Sequence, residues 1–358
     1  MDSPLSIAFE GEKDTDNRAI RHAHPRRCYN APISLRRERT PLMKTLYWIF
    51  PCYNEEECLP TTSATILAKF REFMDEGLIA KDSKVILVND GSKDKTWDII
   101  ASLAKSEPEV IGVGLSRNKG HQYAVEAGLR YAYEKKADYT ITMDVDLQDD
   151  IGVVKAMIEE HEKGFDVVYG VRNDRATDSF FKRFTANAYY RLMSKFGVEM
   201  IENAADFRLI SHRALGALLE YHEANLFLRG LVPQVGYPSS RVEYKRLERQ
   251  QGKTHYSFTK MLSLATDGIT AFSSKPLSII GKTGFALCLL SVLAMVVFSI
   301  LNGTGVLAFS IYYYLFPFIS LMTGVLALCM QILGLYIGKI NIETKKRPHY
   351  FIKDIVGE

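Results

Sequence analysis

Between residues 45 and 150 the chain repeats one pattern: a short run of Val, Ile, Leu and aromatic residues, a loop of Asp, Asn, Gly and Ser, then an amphipathic stretch. The apolar runs predict strands at 46–50, 85–89, 110–115 and 139–143, with another at 166–169. Apolar residues at helical spacing predict helices over 56–76, 95–105, 122–135 and 153–163. Short strands that are apolar on both faces, separated by helices, make a Rossmann-like, mostly parallel α/β sheet covered on both sides. Right-handed crossovers then gather the carboxyl ends of the strands at one edge, where such folds bind ligands. Further on, 178–235 reads as helical with short breaks. Within it, Asp206 and Arg208 are two apart on a short strand and share a side, and 236–249 alternates like a strand.

Each of the first four strands ends in a polar loop. These are Pro51-Cys52-Tyr53-Asn54-Glu55-Glu56, Asn89-Asp90-Gly91-Ser92-Lys93-Asp94, Arg117-Asn118-Lys119-Gly120-His121 and Asp144-Val145-Asp146-Leu147-Gln148-Asp149. Any one of them is an ordinary turn, since Asp, Asn, Gly and Ser cap helices and fill turns. Four in succession at one sheet edge indicate a site. In the fourth, Asp144 and Asp146 are two residues apart in an extended or turning segment, which points both carboxylates the same way, and Gln148 continues the spacing. Hard oxygen ligands of this kind suit Mg²⁺ or Mn²⁺, which borrow further ligands from a substrate diphosphate. No His/Cys set suggests zinc. The absence of GxxxxGK[ST] and GxGxxG argues against an NTPase or dinucleotide enzyme. A net charge of +3 with both signs interspersed gives no case for nucleic acid.

The apolar excess lies near the C-terminus. Residues 283–301 form an uncharged stretch of 19 residues, and 306–338 is also free of charge. A bilayer requires roughly 20 apolar residues per helix, so two transmembrane helices are expected within 277–338. Lys275 and Lys282 precede them, while Lys339, Lys345, Lys346 and Arg347 follow, and the loop at 302–305 is uncharged. Basic outer flanks place both ends, and with them the large domain, on the cytoplasmic side. Residues 257–273 carry apolar side chains at spacings of three, four and seven, as an amphipathic helix on the bilayer surface does. Five scattered cysteines with no CxxC pair fit a reducing compartment. Residues 1–43, arginine-rich and without apolar periodicity, read as a disordered tail with no secretory signal, and Met43-Lys44 before the first strand reads as a natural start. The expected domains are therefore a basic tail at 1–43, a catalytic domain at 44–256, a juxtamembrane helix at 257–276, a membrane hairpin at 277–338 and a cytoplasmic segment at 339–358.

The motifs PCYNEEE, VNDGSKDKT, RNKGHQYAVEAGL, MDVDLQDD and YGVR together resemble family 2 glycosyltransferases of the GT-A fold. ADFRLISHRA, the stretch at 253–263 and the terminal hairpin narrow the resemblance to polyprenyl-phosphate glycosyltransferases, across residues 44–352. The resemblance implies transfer of a hexose from a nucleotide-sugar to a polyprenyl phosphate at the cytoplasmic membrane face. UDP-glucose is the favoured donor and undecaprenyl phosphate the favoured acceptor. It also implies that Pro51, Tyr53, Glu55 and Asp90 hold base and ribose, and that Gly120 lets the backbone approach the nucleotide. Asp144 faces the nucleotide-sugar, Asp146 and Gln148 ligate Mg²⁺ or Mn²⁺, and Arg172 contacts phosphate. Arg183 and Asn187, four apart on one helix face, match the family's acceptor-phosphate site; Arg208 is assigned beside them, and Asp206 lies near the acceptor. Relatives that assemble through their membrane regions imply a homo-oligomer, a tetramer for instance.

Chemistry sets the role of His121. A lipid monophosphate has its second pKa at about 6 and arrives as a charged nucleophile, so a histidine base is not required. Arg229 and the run Arg241, Lys245, Arg246, Arg249 and Lys253 are candidates for donor diphosphate or lipid headgroups. Two alternatives stand beside this reading: a GDP-mannose-dependent mannosyltransferase and a processive polysaccharide synthase. The second shares the catalytic core, but QxxRW is missing around Trp48 and Trp97, and two spans cannot enclose a polymer channel.

Overall fold

The structure is a computed structural model that describes residues 43–173, 201–223, 226–246, 275–304 and 312–358. Arg183, Asn187, Arg249, Lys253, the tail and the predicted juxtamembrane helix lie outside the described residues.

Eight strands form one sheet: β1 (Leu46–Cys52), β2 (Lys84–Asn89), β3 (Val110–Leu115), β4 (Tyr139–Thr142), β5 (Val167–Arg172), β6 (Ala204–Ser211), β7 (Ser239–Tyr244) and β8 (Ile352–Val356). Their order across the sheet is β7-β5-β6-β4-β1-β2-β3-β8. Helices α1 (Leu59–Asp75), α2 (Thr96–Ser106), α3 (His121–Glu134) and α4 (Val153–Glu162) connect the first five strands. Two shorter helices, α5 (His212–Leu219) and α6 (Leu228–Gln234), follow β6.

Side-chain alternation along β1 shows why the sheet has two covered faces. Trp48 and Phe50 point into one core with Phe70 and Phe73 of α1, whereas Tyr47 and Ile49 point into a second with Ala124 and Ala127 of α3. Every residue of β1 is buried. The parallel pairs β1–β2, β2–β3 and β1–β4 bring the ends of these strands to one edge.

The sheet is mostly parallel, as expected, with two strands reversed. It is mixed, because β6 runs antiparallel to both β4 and β5, and β8 antiparallel to β3. The reversal at β6 carries Asp206 and Arg208 back towards the edge reached by β4. The C-terminal segment, for which no strand was expected, supplies β8 and pairs along the edge of β3.

Two long helices precede β8: α7 (Lys275–Gly303) and α8 (Tyr312–Thr344). Among the described residues one segment, Leu321–Thr344, is long and apolar enough to cross a membrane, with a mean hydropathy of 1.9. The expected pair of spans is therefore matched by that criterion in α8 alone. Both helices nonetheless expose large apolar side chains, among them Phe285, Leu290 and Leu293 of α7 and Leu326, Leu328 and Ile337 of α8.

Candidate active site

The loops after β1, β2, β3 and β4 meet at a cavity of about 340 Å³. Pro51, Tyr53, Glu55, Asp90, Gly120, Asp144 and Asp146, all singled out in the sequence, line it, together with Asn118 and His121.

Asp90 directly follows β2 and is buried. Its Oδ1 accepts from the Lys119 amide at 2.7 Å, and its Oδ2 accepts from the Gly120 amide at 2.8 Å and Asn118 Nδ2 at 3.0 Å. Burial raises its pKa, while the two amides pull it back. Asp90 thus fixes the loop that leads into α3. Gly120, at the head of that loop, has φ 101° and ψ 155°, a conformation a side chain would strain. A Cβ there would meet no atom within 4 Å. The backbone is bare on that side, where a ligand can come close. Glu55 is oriented by Cys58, whose thiol donates to Oε2 at 2.8 Å; burial and this bond push the thiol pKa up to about 12.

The loop after β4 turns at Leu147, which takes φ 52° and brings the Gln148 amide to Asp146 Oδ1 at 3.2 Å. Asp146 and Gln148 present one carboxylate and one amide oxygen, a hard-oxygen pair that fits Mg²⁺ or Mn²⁺ completed by a diphosphate. Among the described residues no group of three or more His, Cys, Asp or Glu forms a self-sufficient cage. Gln148 Oε1 accepts from Arg246 Nη2, so the amide oxygen has a cationic partner in the structure. Asp144 opens on the cavity with 40% of its side chain exposed. Its depth in the site raises its pKa; His121 lowers it, and the neighbouring carboxylates Asp206, Asp146 and Asp149 raise it further.

Asp206 has the most strongly perturbed carboxylate here. Arg208 Nη2 donates to its Oδ1 at 2.5 Å. Arg229 of α6 donates through Nε to Oδ1 at 3.1 Å and through Nη2 to Oδ2 at 2.9 Å. Burial works against the charged form, but Arg229 and Arg208 outweigh it and hold the carboxyl far below the usual range. Arg208 is only 3% exposed, and its Nε and Nη1 are buried without a partner. His121 Nε2 lies 3.7 Å from both Asp144 Oδ1 and Asp206 Oδ2, between the two carboxylates.

Arg172 stands differently. It is committed to Asp149, donating Nε to Oδ1 at 2.9 Å, with Nη2 at 2.7 Å. The Tyr244 hydroxyl donates to the same oxygen at 2.6 Å. The sequence reading gave Asp149 and Tyr244 no role and offered Arg229 to donor diphosphate or lipid headgroups, whereas the structure sets it on Asp206. These contacts pair residues that are far apart in the chain, and spacing carries no signal for such pairs.

Residues 47–219 match glycosyl transferase family 2. The chain is 43% identical to the uncharacterized glycosyltransferase YkoT of Bacillus subtilis (strain 168), over 85% of this chain and 90% of that protein. It is 38% identical to the prophage bactoprenol glucosyl transferase homolog of Escherichia coli (strain K12), over 86% of this chain and 98% of that protein. It is also 38% identical to the bactoprenol glucosyl transferase of Shigella phage SfV, over 86% and 97% of the two chains. With a GT-A-like mixed α/β sheet, a polar cavity at the strand ends and relatives matched over nearly their whole length, this chain belongs to glycosyl transferase family 2 and is a glycosyltransferase.

Proposed function

We propose that the protein transfers glucose from UDP-glucose to the phosphate of a polyprenyl phosphate, undecaprenyl phosphate in the first instance, at the cytoplasmic face of a membrane. The observation that carries this reading is the state of Asp206. A carboxylate gripped by two guanidiniums has its proton affinity lowered and is a poor general base at neutral pH. Such a site suits a nucleophile that arrives ionised. A lipid phosphate does, with its second pKa at about 6. A sugar hydroxyl does not, and Asp206 is poorly suited to take a proton from one. The names of the bactoprenol glucosyl transferase relatives favour the same acceptor and sugar.

In the reaction an acceptor phosphate oxygen attacks C1 of the sugar. The bond from C1 to the donor diphosphate breaks, and the nucleoside diphosphate leaves with the electron pair. No proton moves, and one displacement inverts an α-linked donor to a β-linked product. Pro51, Tyr53 and Glu55 frame base and ribose, Asp90 holds the Asn118–Gly120 loop beside them, and Asp144 faces the sugar. Arg208 and Arg229 supply positive charge around Asp206, and Arg183 and Asn187 grip the acceptor phosphate. Asp146 and Gln148 would hold Mg²⁺ or Mn²⁺, whose charge offsets that of the leaving diphosphate. Arg172 acts through Asp149, positioning the loop that follows β4. The exposed apolar surfaces of α7 and α8 support a two-helix membrane hairpin.

The test supplies the full-length protein with labelled UDP-glucose, UDP-N-acetylglucosamine or GDP-mannose and with undecaprenyl phosphate or undecaprenol. Glucose should enter the organic phase only with the phosphorylated lipid, and EDTA should abolish transfer. Asp146→Asn should slow it by at least about 100-fold. Equal transfer to undecaprenol would overturn the ionised-nucleophile reading, and transfer from GDP-mannose alone would reassign the sugar.

A further inference from the structure

A second cavity, of about 810 Å³, opens between α3 and the chain that joins α8 to β8, and it shares no residue with the transfer pocket. Its walls carry four permanent cations, Arg130, Lys345, Lys346 and Arg347, against two carboxylates, Glu126 and Glu343. One of those carboxylates is already neutralised. Glu126 accepts from Arg130 Nη2 at 3.1 Å and pairs with His349 Nδ1 at 2.9 Å. The bond to Glu126 raises the His349 pKa, so the imidazole keeps its charge to higher pH than usual. Positive charge is therefore left in excess around the opening.

The backbone adds a second observation. Lys346 closes the end of α8 in the left-handed region, at φ 45°, with its amide donating to the Glu343 carbonyl at 3.1 Å. Glycine fills that position at least cost, and any other residue there is strained. The chain holds an exposed lysine against that strain, between Lys345 and Arg347, which are exposed too. Ile342, also on the wall, belongs to the apolar segment Leu321–Thr344. Apolar surface thus gives way to a cationic cavity within one helical turn, as it does where a bilayer's hydrocarbon meets its headgroups.

We propose that this cavity binds the phosphate of an anionic phospholipid headgroup and so fastens the α8–β8 junction against α3. The inference rests on the membrane reading above for the source of the lipid, and on the cavity alone for its charge and size. The zwitterionic phosphatidylcholine carries the same phosphate without net charge and is the natural contrast.

The test follows thermal unfolding of the full-length protein in neutral detergent during titration with dioctanoyl phosphatidylglycerol, dioctanoyl phosphatidylcholine or inorganic phosphate. Phosphatidylglycerol should stabilise saturably, and at lower concentration than the other two. The variant K345Q/K346Q/R347Q should weaken that response by on the order of tenfold or more. Its stabilisation by UDP-glucose should be unchanged, which shows the fold and the donor pocket intact. Arg347→Gln alone, at an exposed position, should give a smaller weakening in the same direction. An equal response to both lipids, or a wild-type response from the triple variant, would overturn the proposal. An inorganic phosphate response matching that of phosphatidylglycerol would assign the cavity to a free anion and equally overturn it. The probe is a soluble lipid, so the result stands apart from whether the protein integrates into membranes or transfers sugar.

Discussion

At the scale of single residues, the Arg208–Asp206–Arg229 cluster is a structural commitment at the edge of the pocket. Arg208 is buried, and burial lowers its own pKa, so Asp206 is what keeps the guanidinium charged inside the fold. Removing one partner of a buried ion pair leaves the other uncompensated, at about 3–5 kcal/mol. Asp206→Asn should therefore cost about that much stability at neutral pH, measured by thermal or chemical unfolding, besides impairing transfer. The sign with pH follows from the depressed carboxyl. Its stabilisation is present above the unfolded value of about 3.9 and is lost as pH falls through the folded value. The gap between wild type and Asp206→Asn should stay level from about pH 5 to 8 and narrow only in stronger acid. A gap that instead shrinks towards neutrality would show that Asp206 binds a proton there, and would restore it as a base.

At the scale of elements, β8 ties the exit of the long helices to the catalytic sheet. It pairs with β3, its neighbour Phe351 accepts from the Ser116 amide at 2.9 Å, and Glu358 just beyond it accepts from the Tyr131 hydroxyl at 2.9 Å. Lys135 meets Glu358 at 3.0 Å. Gly357 makes the last turn possible: it has φ 88°, and a Cβ there would fall 2.3 Å from the Val110 carbonyl oxygen. Gly357→Ala must therefore displace the end of β8, since the obstruction is backbone that cannot rotate away. The expected result is a loss of about 1–3 kcal/mol and faster hydrogen exchange at Gly112 and Gly114 of β3. Unchanged exchange would show that β8 is not what closes this edge. The sequence offered little warning of the strand, because its residues are mostly exposed and alternate weakly.

At the scale of the molecule, the sheet domain buries its apolar residues in two cores, whereas α7 and α8 leave theirs outside. Fully burying a Leu or Phe is worth about 1.5–3 kcal/mol, so the exposed side chains of these helices favour an apolar partner over water. The hairpin reading predicts that the turn between the helices faces away from the catalytic domain across the bilayer. In a variant without its five native cysteines, Gly303→Cys should label from outside intact cells and Ser92→Cys should not. The opposite pattern would invert the topology, and labelling of neither would remove the second span.

The sequence alone determined the order of strands and helices through β5 and the four loops that form the pocket. Local periodicity and turn chemistry carry those directly. The loops were legible because each sits where an apolar run stops and a parallel sheet brings all such stops to one edge, and within them the family resemblance picked out Pro51, Tyr53, Glu55, Asp90 and Gly120. Tertiary structure decided what each side chain is free to do. Asp90 turned to the neighbouring Asn118–Gly120 loop, Arg172 was taken by Asp149 and Tyr244, and Asp206 was locked between Arg208 and Arg229. It also decided that the C-terminus returns as β8. These outcomes depend on which distant residues lie opposite across the sheet, and pairing of that kind is set by the packing of the whole fold, not by spacing along the chain.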